Sequence, residues 1–114
     1  MEQVKVTIKY GDFEAENYRT VDGKYVREIL IDGHTDPKVC HGLSASMYFI
    51  AYAIRDTLLK DDDFKFTDNP GATKFVLYKY SRDTEILLRT FVKVVEEMQK
   101  YYPDTILIER WNYL

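Results

Sequence analysis

The feature that most constrains the fold of this chain is a hydrophobic period that changes repeatedly between strand-like and helix-like spacing. Over Val4 to Tyr10 ("VKVTIKY"), Val4, Val6, Ile8 and Tyr10 alternate with Lys5, Thr7 and Lys9, as in a strand with one buried face. Residues 11–22 ("GDFEAENYRTVD") keep no clean period and read as a long turn or arm, and Asp22-Gly23 marks a tight turn. The strand pattern returns from Tyr25 to Ile31 and ends at Asp32-Gly33. Between Val39 and Lys60 the spacing becomes helical, with Cys40, Leu43, Ser44, Met47, Ala51, Ile54 and Leu58 on one face. Pro37 stands at the start of this run, where a missing N–H costs little. Carboxylates oppose the negative end of a helix, so Asp61 to Asp63 place the last helical turn near Leu59.

Residues 63–80 hold two further strand-like runs about Asn69-Pro70-Gly71, a strong turn signal, and predict a hairpin. Ser81 or Asp83 can cap a second helix, with Glu85 favourable in its first turn. Leu87, Leu88, Phe91, Val94, Val95, Met98 and Tyr102 form its apolar stripe, and Pro103 stops it. Thr105 to Trp111 is a last strand. The predicted order is ββαββαβ in a single domain spanning residues 1–114. Two helices with broad apolar faces and strands with one polar side are best satisfied by an α+β fold, both helices packed on one face of a mostly antiparallel sheet. The other face is expected to carry many Tyr and Lys residues, and a second copy of the chain could cover it.

The balance of charge limits the partners. A formal net charge of -3, with Lys and Arg scattered along 114 residues, argues against a protein built to neutralise phosphates. A single cysteine excludes an internal disulfide and fits a reducing compartment. The N-terminus has no basic start followed by an apolar stretch, and the most apolar run, inside Val39 to Leu59, is interrupted by Ser44, Ser46, Arg55 and Asp56. These features predict a cytoplasmic protein without a membrane span.

The chemistry concentrates in "GHTDPKVC", residues 33–40, where a strand gives way to a helix. A lone cysteine on a helical stripe commonly packs as a small apolar side chain. Cys40, however, falls in the first helical turn, where the positive end of the macrodipole favours a thiolate. A cysteine nucleophile needs a base, and imidazole suits neutral pH. His41 is adjacent to Cys40 and points about 100° away around a helix, so it reads as a surface residue. His34 can fold back toward the helix start across the intervening loop. Asp32 or Asp36 could orient His34, or serve the turn and the helix cap. Ser44, one turn after Cys40, could donate into the site or bond back to the Cys40 carbonyl. Gly33 either frees backbone for a substrate or makes the turn. Cys40, His41, His34 and Asp36 do not match paired zinc-ligand spacings, and no phosphate-binding or dinucleotide motif is present, so no metal or organic cofactor is expected.

Together, "GHTDPKVCHGLSAS", the opening strand, "DGKYVREILIDGH" and the closing "VVEEMQKYYPDTILIE" resemble, in the same order, the ribosomal-processing cysteine protease family, Prp. The resemblance covers nearly the whole chain. It implies Cys40 as nucleophile and His34 as its histidine, with Gly33 and Ser44 at the motif positions beside them. It also implies a dimeric, cytoplasmic endopeptidase that removes a short N-terminal extension from a large-subunit ribosomal protein; phage relatives share the fold. Two departures stand out: the bridge from His34 to Cys40 is short, with Pro37 where the family has an aspartate and Asp36 one position earlier, and His41 replaces a small residue. The alternative is a non-catalytic homologue that binds a peptide or protein as a dimer. An RNA-contacting role is disfavoured by the acidic charge.

Overall fold

A computed structural model describes residues 2–11, 25–58, 63–69 and 71–112. Strands β1 (Val4–Gly11), β2 (Tyr25–Asp32), β3 (Phe64–Asn69), β4 (Ala72–Leu77) and β5 (Ile106–Asn112) surround helices α1 (Pro37–Ala53) and α2 (Arg82–Tyr101) in the chain order ββαββαβ. The strands form one sheet in the order β3-β4-β2-β1-β5. β1–β2, β2–β4 and β3–β4 are antiparallel, whereas β5 returns beside β1 in parallel after the α2 crossover. The expected arm at 11–22 and the Asp22-Gly23 turn lie, apart from Gly11, outside the described residues, as do Pro70 and residues 59–62.

The alternation read in the sequence is the alternation of the sheet. Val4, Val6 and Ile8 of β1, Ile29 and Ile31 of β2, and Phe75 and Leu77 of β4 turn to the helical side and are buried. They meet Val39, Leu43, Met47 and Ile50 of α1 and Leu88, Phe91 and Val95 of α2 in one core. Burial at about 25 cal/mol per Å² of apolar surface is the main term favouring this arrangement. The start of α2 is fixed by a reciprocal cap: Ser81 Oγ accepts from the Thr84 N–H at 3.1 Å, and the Ser81 N–H donates to Thr84 Oγ1 at 3.2 Å. Buried Glu85 then accepts from the Val26 N–H at 3.2 Å and pairs with Arg89, tying this helix start to β2.

Two expectations need correction. The helical run reaches Leu58, near the expected end, but α1 itself stops at Ala53 and the last turn, Ile54–Leu58, is π-helical. A spacing of three or four keeps Ile54 on the buried face under either winding, so the sequence period does not report the change. Among the described residues, the open face of the sheet is also not tyrosine-rich. It carries Lys5, Lys9 and Lys74 around Glu28, which is 5% exposed and takes Lys9 Nζ and Lys74 Nζ at 3.0 Å each. Of the described tyrosines, Tyr10 of β1 packs against the core and Tyr25 of β2 is buried, and the others sit on α1 (Tyr48, Tyr52), after β4 (Tyr78, Tyr80) and around the end of α2 (Tyr101, Tyr102). Among the described residues, no helix is long and apolar enough to cross a membrane.

Candidate active site

The end of β2, the start of α1 and the β3–β4 turn converge on a cleft of about 470 Å³ that Gly33, His34, Cys40, His41 and Ser44 all line. Two glycines build the junction. Gly33 adopts φ +98°, and a Cβ there would stand 3.0 Å from the Gln3 carbonyl oxygen. Its N–H donates to the Gly71 carbonyl at 3.1 Å, fastening the end of β2 to the hairpin turn. Gly71 adopts φ +81°, and a Cβ on it would lie 3.2 Å from His34 Nε2. Both positions therefore require glycine for conformation, and Gly71 also for the space the imidazole occupies. The choice left open at Gly33 is thus answered at least for the turn.

Asp36 closes the start of α1. Its Oδ1 accepts from the Lys38 N–H at 2.9 Å, and its carbonyl accepts from the Val39 and Cys40 N–H groups at 3.0 and 3.1 Å. Pro37 has no N–H to place. One residue thus serves every amide of the first turn, and the Cys40 N–H, a candidate oxyanion donor by position, is engaged within the helix. Asp36 makes no hydrogen bond to His34.

Cys40 is partly buried, and its Sγ donates to the Thr35 carbonyl at 3.8 Å. The loop brings His34 and Cys40 to one cleft without joining them by a hydrogen bond. His34 and His41 are both exposed at its rim. Ser44 follows Cys40 by one turn on the same wall, and its hydroxyl bonds to none of the described residues. Among the described residues, no group of three or more His, Cys, Asp or Glu side chains is placed to hold a metal ion.

The far wall went unread in the sequence. Asp68 on β3 and its cross-strand neighbour Thr73 on β4 line the cleft with Asn69. Thr73 Oγ1 donates to Asp68 Oδ1 at 2.7 Å, and the Tyr48 hydroxyl donates to Asp68 Oδ2. Bonds from Tyr48 and then Thr73 hold the Asp68 carboxyl below its ordinary value, while the bond to Asp68 pushes the Tyr48 phenol up. Tyr48 also packs edge-on against Phe66, with ring centroids 5.3 Å apart. The available signal was spacing: Cys40, Ser44 and Tyr48 recur every four residues on α1, a row facing one way.

No family model and no curated protein matches the chain. Among solved structures, Prp from S. aureus with a covalently linked product peptide superposes with a TM-score of 0.68 at 21% identity, covering 92% of this chain and 98% of that one. The chain has the Prp fold. The same S. aureus protease with a substrate peptide gives a TM-score of 0.69 at 17% identity over the same shares, 92% and 98%. A protein from Streptococcus mutans gives 0.67 at 10% identity, covering 97% of this chain and 96% of that one.

Proposed function

We propose that this chain is a Prp-like cysteine endopeptidase with Cys40 as nucleophile and His34 as its base. The observation that carries this reading is the shared cleft of His34 and Cys40 at a strand-to-helix junction, on a fold whose solved examples include a protease bound to peptides. In the proposed cycle the thiol leaves the Thr35 carbonyl and passes its proton to His34, and the thiolate attacks the scissile carbonyl carbon. Collapse of the tetrahedral adduct breaks the C–N bond, His34 protonates the departing amine, and a thioester remains on Cys40. Water, deprotonated by His34, then releases the new carboxylate. With the first-turn amides engaged by Asp36, stabilisation of the oxyanion falls to cleft side chains such as the Ser44 hydroxyl and the Asn69 amide. Asp36 supports the site through the helix start, and Gly33 through the turn that carries His34.

The proposed substrate is the N-terminal extension of a large-subunit ribosomal protein or of a phage structural protein, met in the cytoplasm by a homodimer of a single Prp-like domain spanning residues 1–114. Exposed Phe49 and Tyr101 on the helical side, at 72% and 78%, are apolar surface that a second copy would cover. The test is incubation with peptides spanning such N-termini, beside Cys40→Ala and His34→Ala. Cleavage should be lost in the first and fall by at least about a hundredfold in the second; cleavage that survives Cys40→Ala overturns the mechanism.

A second reading, a non-catalytic peptide-binding homologue, is favoured by one observation: the thiol is bonded to Thr35 and the imidazole rests on Gly71. It predicts a thiol whose rate of alkylation is unchanged in His34→Ala.

A further inference from the structure

We propose that Asp68 is a specificity-determining residue that receives a basic side chain of the bound peptide, about three residues from the scissile bond. This rests on the peptide-binding reading above.

The side chains lining the cleft carry few charges. Among the described residues they are, apart from the two imidazoles, apolar, hydroxyl, thiol or amide groups, and Asp68 is the single carboxylate of that lining. Lys74, the neighbouring cation on β4, is committed to Glu28 on the open face of the sheet, and among the described residues no lysine lines the cleft to neutralise Asp68. Asp68 is also held in place. Tyr48 anchors one oxygen and Thr73 the other, yet a carboxylate has about four lone-pair sites, and two hydroxyls leave room for an incoming ammonium or guanidinium. The residue is exposed at the rim, open to a ligand that enters from solvent.

Position along the cleft sets the distance. Tyr48 lies two turns beyond Cys40, about 12 Å along the helix axis. Helical side chains lean toward the N-terminus, which brings the Tyr48 hydroxyl and Asp68 back toward the thiol. A separation on the order of 10 Å corresponds to about three residues of extended peptide at roughly 3.3 Å each.

The test uses the full chain and a neutral peptide library in which one position at a time, on either side of the cleavage point, is Lys, Ala or Glu. Cleavage by the wild type is read by mass spectrometry and capture by Cys40→Ala by fluorescence anisotropy. Lys should be preferred over Glu by about three- to tenfold at one such position, the range expected of a charge pair open to solvent, and the preference should shrink as salt is raised. Asp68→Asn, which retains an acceptor, should bring Lys and Glu level, and Asp68→Lys should favour Glu. Tyr48→Phe should keep the order of preference, since the charge remains. A residue that only ties the hairpin to α1 would weaken all peptides alike and leave their ratio unmoved. Equal use of Lys and Glu by the wild type, or a ratio unchanged in Asp68→Asn, overturns the proposal while leaving peptide cleavage intact; failure of every peptide to be cleaved or captured overturns both.

Discussion

At the start of α2 the backbone amides are served by Ser81 and Thr84, with Thr84 fully buried and two acids, Asp83 and Glu85, in the first turn. At the start of α1 the same task falls to Asp36 alone, exposed to solvent, and the first turn carries a cysteine and no acid. Both helices solve the problem of unpaired N–H groups. The first solution is spread over several side chains and sunk in the core, where it binds α2 to β2. The second is compressed into one exposed residue, which leaves the neighbouring side chains free to face a ligand. A helix start can thus be a structural weld or the wall of a site, and the burial of its cap tells which.

The largest effect expected from breaking the comparison is at the weld. Glu85→Ala removes the partner of a buried Val26 N–H and of Arg89, and should cost about 2–4 kcal/mol in denaturant unfolding. Gly71→Ala forces a Cβ into a left-handed backbone and against His34. It should cost about 1–2 kcal/mol and, on the protease reading, lower cleavage by more than the loss of stability explains. The caps themselves come next: Ser81→Ala and Asp36→Ala should each cost about 1 kcal/mol, but only the Asp36 change should alter the rate of Cys40 alkylation.

Asp36→Asn sharpens the contrast further. It keeps a side-chain oxygen for the Lys38 N–H while removing a negative charge from the helix start that carries Cys40, so alkylation at neutral pH should quicken by up to about fivefold. The smallest effect concerns the Tyr48–Asp68 bond. The Asp68 carboxyl is held low by its hydrogen bonds, so its contribution is present above the unfolded carboxyl value of about 3.9 and is lost as pH falls through the lowered one. The Tyr48 phenol is raised by Asp68, so its contribution is present below about pH 10 and is lost as pH rises through the raised value. Hydrogen exchange of the β3–β4 hairpin should quicken at both extremes, and Asp68→Asn should flatten the profile.

Much of this was legible in the residues because burial on one face imposes a period. Val4, Val6 and Ile8, or Leu88, Phe91 and Val95, announce their element by spacing alone. The Pro37 and Ser81 signals marked helix starts for the same local reason. What stayed hidden depends on contacts between distant segments. Nothing near Ile54 signals a π turn, because the buried residues suit both windings. The parallel return of β5 beside β1 is set by the crossover of α2. The near wall of the cleft was readable because His34 and Cys40 share a loop, while Asp68 and Thr73 belong to a hairpin that meets α1 only in the folded chain.

The seat of His34 has a consequence for how such sequences vary. Its ring lies where the side chain of residue 71 would otherwise be, and the two positions are far apart along the chain. Their allowed residues are therefore coupled by volume: a chain that keeps an imidazole at 34 should keep glycine at 71, and one that gains a side chain at 71 should carry something smaller at 34. In an alignment of chains with this fold, that pair should covary, and the pairing would separate those retaining the histidine in its seat from those that have given it up.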